Sequence, residues 1–342
     1  MNRETRMFRS LRTALLLAPI LTVIASPPAA RAGEIVGWGY DGYGLISNTP
    51  GGDNFTAIVV GADFGSLTDT AYALRGDGSI VAWGWDLNGQ VSDAPTGTGF
   101  VGIAAGGQAA FALRGDGSIV AWGQDLYELV SGAPTEAGFT AVAAGTASAF
   151  ALRADGSIAA WGAGGGLVSG TPTGGGFTAV TVGRDTAYAL GVDGSIVAWG
   201  YDGHGQVSGA PTEAGFIAIA AGWDTAFALR ADGSIVAWGY DDPYTALISG
   251  VPTGGGFTAV SAAGLTAFAL RADGSLVAWG DDFDGLISGT PTGGGFTAIA
   301  AGLDAAYVLR ASAVPEPASV AMLAFGAGAA VVAALRRRAT AG

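Results

Sequence analysis

The densest group of chemically able side chains in this sequence is "DDFD", with Asp281, Asp282 and Asp284, joined upstream by Asp241 and Asp242. Clustered carboxylates suit two chemistries. Their oxygens ligate a hard cation such as calcium, and two of them at a set separation cleave a glycosidic bond by general acid and base. No EF-hand loop pattern surrounds them, so a solvated acidic loop is the stronger reading, and the sequence calls for no cofactor. Other chemistries are closed off by composition. There is no cysteine and no lysine, and His204 is the only histidine. Thiol and thiolate–metal chemistry are therefore excluded, and so in practice are His-based metal sites and Ser-His-Asp machinery.

A second group mixes aromatics with aspartates. The segments that follow each Trp-Gly read "YDGYG", "WDLNG", "QDLYE", "AGGG", "YDGHG", "YDDPYTA" and "DDFDG". Rings beside hydrogen-bonding groups suit sugar rings, and they equally suit a protein hot spot. The candidate ligand-binding residues are Tyr40, Trp85, Asp86, Tyr127, Tyr201, Trp223, Tyr240 and Tyr244, with Tyr43, Phe283, Asp41, Asp202 and Asp281 in the same segments. The competing reading is structural: the ring packs between neighbouring sheets and the aspartate caps a turn.

These segments must be positioned by a repeat. Phenylalanine opens one unit at Phe55, Phe100, Phe139, Phe177, Phe216, Phe257 and Phe296. Asp-Gly-Ser recurs at Asp77, Asp116, Asp155, Asp193, Asp232 and Asp273, and Trp-Gly at Trp38, Trp83, Trp122, Trp161, Trp199, Trp238 and Trp279. Seven phenylalanines and seven Trp-Gly pairs stand against six Asp-Gly-Ser turns. The unpaired Trp-Gly opens the region and the unpaired Phe closes it. So "EIVGWG", Glu34–Gly39, is the missing last strand of the unit that begins at Phe296.

Within one unit, "FIAIAAG", "TAFALRA" and "SIVAWG" read as three strands, and Asp-Gly between the second and third suits a tight hairpin. Both faces are apolar or small, which predicts sheets buried on both sides. Small antiparallel sheets split across the two ends describe an all-β, seven-bladed β-propeller of short, mainly three-stranded blades. Its N-terminal strand closes the ring and removes open edges. Three strands per blade bring the tips after "AAG" and the post-Trp-Gly segments to one variable face. The Arg-x-Asp-Gly turns lie on the other, where Arg75, Arg114, Arg153, Arg230 and Arg271 are expected to pair with the turn aspartates. The "VSGAPT"-like linkers should run down the outside of the sheets. A longer tip spans Ala62–Thr70.

The two ends read as address segments. Arginines precede the apolar "TALLLAPILTVIA", and Ala30-Arg31-Ala32 places small residues before Gly33, so residues 1–32 read as a signal peptide cleaved at Gly33. The propeller is expected over 33–312. The tail, 313–342, carries "VPEP" (Val314, Pro315, Glu316, Pro317), an apolar run at 318–335 and then Arg336, Arg337 and Arg338. At ~1.5 Å per residue that run is long enough for a transmembrane helix, with the arginines held inside. This tail resembles the PEP-CTERM sorting signal of Gram-negative bacteria. The resemblance implies an exosortase-type membrane peptidase as partner, a transient membrane anchor, and delivery to the cell surface or extracellular matrix. A permanent tail anchor fits the helix and the arginines but not the box.

The repeat resembles that of the regulator of chromosome condensation family, carried by "AAG", "ALRxDG" and "VxAWG". In its short blades it is similar to the type II β-lactamase inhibitory proteins. The family often has His after "AAGx", where this chain has Asp224, Thr266 or Ala147. Residues 33–313 carry 26 acidic side chains and 7 arginines, which argues against nucleic acid and anionic membrane surfaces as partners. The expectation is a non-enzymatic, exported binding or scaffold protein that takes polysaccharide or protein on its variable face. The alternatives are an inhibitor of a secreted or periplasmic enzyme, or a carboxylate-dependent polysaccharide hydrolase or lyase.

Overall fold

The computed structural model describes residues 33–63 and 68–311. The expected signal segment with Ala30 and Ala32, the Val314–Pro317 box, the run 318–335 and Arg336–Arg338 lie outside the described residues. Among the described residues no helix is long and apolar enough to cross a membrane.

Each repeat folds as three antiparallel strands. In one, Phe216–Ala221 pairs with Thr225–Arg230, which pairs with Ile235–Gly239. Asp232 Oδ1 accepts the Ser234 amide at 2.9 Å and the Ser234 hydroxyl at 2.7 Å, closing the Asp-Gly turn. Four further sheets begin at Phe100, Phe139, Phe177 and Phe257. The remaining strands form one six-stranded sheet in the order Phe296–Ala301, Ala305–Ala311, Gly33–Gly39, Phe55–Asp63, Thr68–Arg75, Ile80–Gly84. Gly33–Gly39 is paired along its whole length with Ala305–Ala311, from Gly33↔Ala311 to Gly39↔Ala305. It meets Phe55–Asp63 only through Gly33↔Phe55. The fold is an all-β propeller with almost no helix. Among the described residues, helix is confined to Gly165–Ser169 and to single turns at Gly42–Gly44 and Leu126–Glu128.

The first strand of every repeat lines the axis. Ala105, Ala144, Thr181, Ala221, Ala262, Ala301 and Val60 come from seven different repeats and surround one cavity of about 80 Å³. Only small side chains fit where these strands converge, which explains the alanines of "AIAAG". All seven first strands shift register just after their opening Phe, as between Phe216 and Ala218. Such a bulge bends the strand and increases its twist.

The sheets are held to one another by the tryptophans. Each Trp-Gly indole packs edge-to-face on a middle-strand ring of the preceding repeat, at centroid distances of 5.5 to 5.6 Å: Trp122 on Tyr72, Trp161 on Phe111, Trp199 on Phe150, Trp238 on Tyr188 and Trp279 on Phe227. Trp38 on Phe268 and Trp83 on Tyr307 complete the circuit across the chain ends. The same indoles donate to a linker carbonyl of the preceding repeat, as Trp161 Nε1 does to Leu129 O at 2.9 Å. The linkers therefore do more than run along the outside. The residue at their root, such as Leu45, Leu129 or Gln206, is buried.

Two expectations need correction. The outer strands are not buried on both faces. In Ile235–Gly239 only Trp238 is buried and the rest are half-buried, because no sheet covers the outside of the ring. The arginines do not pair with the turn aspartates, whose Oδ1 is taken by the serine. Arg75, Arg114, Arg153, Arg230, Arg271 and Arg310 instead stack over the opening Phe of their own repeat, 4.9 to 5.5 Å from its centroid. At an exposed site each such contact stabilises by ~0.5–1 kcal/mol. Their ion pairs, where present, are to Glu136, Glu213 and Glu34.

Candidate functional site

The strand register brings the tips after "AAG" and the segments after Trp-Gly to one end of every sheet. The residue after Trp-Gly donates its amide to the tip carbonyl: Tyr40 to Asp304, Trp85 to Asp69, Tyr201 to Asp185, Tyr240 to Asp224 and Asp281 to Leu265, at 2.8 to 3.1 Å. The threonine that opens the middle strand closes the same root. Thr225 Oγ1 donates to Tyr240 O at 2.8 Å and Thr186 Oγ1 to Tyr201 O at 3.0 Å. Each variable segment thus leaves a rigid strand pair.

Most aspartates of this face are structural. Asp41, Asp86, Asp125, Asp202 and Asp282 each accept two backbone amides, five and six residues ahead, at 2.8 to 2.9 Å. Asp241 does the same for Ile248 and Ser249. The Ser47 and Ile46 amides hold the Asp41 carboxyl below the usual carboxylate range, and those of Ser208 and Val207 do so for Asp202. Asp86 therefore caps its own loop. Among the described residues no group of three or more acidic or histidine side chains is placed to hold a metal ion.

The aromatics stand outward. Twelve large apolar side chains are exposed among the described residues. Nine of them lie in the post-Trp-Gly segments: Tyr40, Tyr43, Leu87, Leu126, Tyr127, Tyr201, Tyr240, Tyr244 and Phe283. The four non-glycine residues with positive φ, Tyr43, Tyr127, Glu128 and Ala246, are in the same segments. Glu128 and Ala246 stand where other repeats place a glycine with positive φ, such as Gly89, Gly205 and Gly285.

The candidate aromatics fall into three groups and three isolated positions. Trp85 and Tyr43 meet edge-to-face at 4.3 Å, with the Trp85 Nε1 buried. Tyr201 and Tyr240 flank His204, at 6.2 and 4.7 Å. Trp223 and Phe283 line a cavity of about 150 Å³ with Leu265, Leu303, Asp281, Asp284 and Asp304. Tyr40, Tyr127 and the almost fully exposed Tyr244 join none of these groups. Burial, and then the Asp284 charge, raises the Asp304 carboxyl to about 6; burial and the Asp281 charge raise that of Asp284. Asp304 was not singled out by sequence reasoning. Its signal is positional, since it occupies the tip place held by Asp185 and Asp224 in other repeats.

Comparison with known proteins agrees with this architecture. The profile of the regulator of chromosome condensation (RCC1) repeat matches residues 216–242. Residues 216–242 of this chain carry an RCC1 repeat. The PEP-CTERM protein-sorting motif matches residues 313–338, which makes it a sorted, exported protein. Solved structures share the fold. The ectodomain of the receptor kinase CR4 from Physcomitrella patens is 24% identical, with 73% of this chain and 68% of that one covered and a TM-score of 0.62. Prp20p from Saccharomyces cerevisiae, described with its binding to Gsp1p and histones, is 16% identical, with 87% and 96% covered and a TM-score of 0.65. Human WBSCR16 is 16% identical, with 83% and 100% covered and a TM-score of 0.64. No curated protein matches the sequence. The variable segments are where this chain differs from copy to copy.

Proposed function

We propose that this protein is a non-enzymatic binding or scaffold propeller, exported with a signal peptide at 1–32, folded over 33–312 and sorted through 313–342 by an exosortase-type peptidase to the cell surface or extracellular matrix. The ring has seven blades, with the six-stranded sheet counted as the first and last blades joined at Gly33. The loop face takes an exopolysaccharide or a protein. One observation carries this reading: nine of the twelve exposed large apolar side chains gather on that single face, on loops rooted in rigid strands. Monomeric surfaces scatter such residues, and their concentration marks an interaction site. Gly33 and Ala311, where the two address segments join the sheet, are register partners at the opposite, hairpin end of the strands. The tail therefore attaches a strand length away from the loops.

An inhibitor of a secreted or periplasmic enzyme is the second reading. Six of the nine side chains are tyrosines, and Tyr dominates protein hot spots. Prp20p, whose fold is shared, binds proteins. Of the two carboxylates on which the hydrolase reading rests, Asp241 and Asp281, Asp241 is committed to the backbone amides of Ile248 and Ser249.

Surface labelling of intact cells, with and without Val314–Pro317, tests the placement. Full-length protein should be labelled, and protein lacking the box should be retained in the membrane. A protein found only in the cytoplasm would overturn the reading. Replacing Tyr40, Tyr201 and Tyr244 together by Ser should abolish retention on the matrix or on a captured partner.

A further inference from the structure

The cavity bordered by Trp223, Phe283 and Leu303 holds more charge than the fold requires. Repeat by repeat, Asp281 stands where the other copies have Tyr40, Trp85, Gln124, Ala163, Tyr201 and Tyr240. Asp284 stands where others have Tyr43, Asn88, Tyr127 or His204. Six other copies close the same loop without a carboxylate at the first place, so neither charge is needed to build the loop. The turn-capping role belongs to Asp282, between them.

Asp304 completes the set from the neighbouring tip. Among the described residues, no arginine pairs with any of the three. The ion pairs among the described residues lie at Arg153, Arg184, Arg230 and Arg310. Desolvation and mutual repulsion act on Asp284 and Asp304. Three acidic residues line one small cavity, and among the described residues no salt bridge neutralises them.

The other wall of the cavity is apolar: Trp223, half-buried, Phe283, 87% exposed, and Leu303. Carboxylates facing rings and aliphatic groups match a cation on an apolar stem. A metal ion does not fit, since no three of these carboxylates are placed to share one. A drug-sized ligand needs roughly 300–1,000 Å³, and this cavity has about 150 Å³, the scale of one side chain. A planar guanidinium spans separated carboxylates with its fork of donors and stacks on rings, which a compact ammonium does less well.

We propose that this cavity, between the repeats opened by Phe216, Phe257 and Phe296, is a docking site for an arginine side chain of a basic protein partner, with Asp281, Asp284 and Asp304 neutralising the guanidinium and Trp223 and Phe283 flanking it. The inference rests on the loop face being the binding face and names the partner's chemistry. The acidic surface of the chain, with a formal net charge of −13, steers such a partner toward it.

The full chain in mild detergent is titrated calorimetrically with N-acetyl-arginine methylamide and with the uncharged citrulline counterpart. Binding of the arginine probe is expected, with the citrulline probe at least ~10-fold weaker. The triple variant Asp281→Asn/Asp284→Asn/Asp304→Asn should lose binding, whereas Asp185→Asn, elsewhere on the face, should not. Phe283→Ser changes an exposed side chain and keeps the fold. It should weaken binding about two- to five-fold and stands in should the triple variant fail to fold. Equal binding of both probes, or arginine binding untouched by Phe283→Ser and by the carboxamide variant, overturns the site. Failure of the arginine probe while the Tyr40, Tyr201 and Tyr244 variant still loses its surface partner would remove the guanidinium site and leave the binding-face reading intact.

Discussion

Trp38 donates its indole N–H to the carbonyl of Leu286, 248 residues further along the chain, at 2.8 Å. The other Trp-Gly indoles make the same bond to the preceding repeat, six of them across 32 to 38 residues. Geometry is identical and chain separation is not, so this bond is where the ring is closed.

Removing the closure should cost more than removing an internal copy of it. Trp38→Ala and Trp161→Ala each lose a buried indole and its edge-to-face partner, ~3–5 kcal/mol. Deleting Glu34–Gly39 strips the whole strand that pairs with Ala305–Ala311 and should lower Tm well beyond either. Thermal melts followed by near-UV circular dichroism measure this. An unchanged Tm for the deletion would refute closure by the N-terminal strand.

Stability should rise as pH falls through the neutral range. Asp69 is fully buried where the first repeat meets the last. Its Oδ2 accepts the amides of Asp304 and Ala305 at 2.9 and 3.3 Å, and its Oδ1 is buried without a partner among the described residues. Burial raises its carboxyl to about 7, and that of Asp304 to about 6. A carboxylate raised in the native state binds its proton more tightly there than in the unfolded chain. Stability therefore falls as pH rises from about 4 to about 7 and is flat above. Unfolding free energies from denaturant titrations at pH 5 and pH 8 should differ by about a few kcal/mol at most. Asp69→Asn keeps an acceptor for the two amides and should remove most of that difference.

Two loop substitutions should stabilise the protein. Gly89, Gly205 and Gly285 adopt φ of 79°, 77° and 69° at the position before the buried linker residue, where Glu128 and Ala246 are held at 57° and 51°. Glu128→Gly and Ala246→Gly relieve a left-handed conformation that costs ~1–2 kcal/mol, less the entropy that glycine adds to the unfolded chain. A net gain of about 0.5 kcal/mol is expected. The reverse change, Gly205→Ala, brings its new Cβ only into ordinary van der Waals contact with Ser208 Oγ, at 4.0 Å, and should lose ~1 kcal/mol from strain alone. Urea titrations of the three variants check both signs.

Function and stability should separate on the loop face. Tyr40→Ser, Tyr244→Ser and Phe283→Ser change side chains that are 54%, 96% and 87% exposed. Each should alter stability by no more than ~0.5 kcal/mol, while their combination abolishes partner retention. A large loss of Tm in these variants would return the rings to a packing role.

Much of the architecture is legible without coordinates. The count of Phe, Asp-Gly-Ser and Trp-Gly within one repeat locates every strand and hairpin, and the mismatch of seven against six points to Glu34–Gly39 as the strand that ends the last unit. These are local signals: side-chain alternation, a turn that needs glycine, a strand that needs a partner. The arrangement of the loop face is of another kind. Asp86 and Asp281 look alike in the sequence, yet one caps its own loop and the other faces a cavity with Asp304. The arginines look like salt-bridge partners for the turn aspartates, yet they lie over the opening phenylalanines of their own repeats. Asp69 gives no sign in the sequence that it is buried against Asp304, 235 residues away. Contacts within a repeat follow from spacing along the chain; contacts between repeats follow from the closed ring, whose curvature sets which loops meet, and that curvature depends on the packing of all its sheets at once.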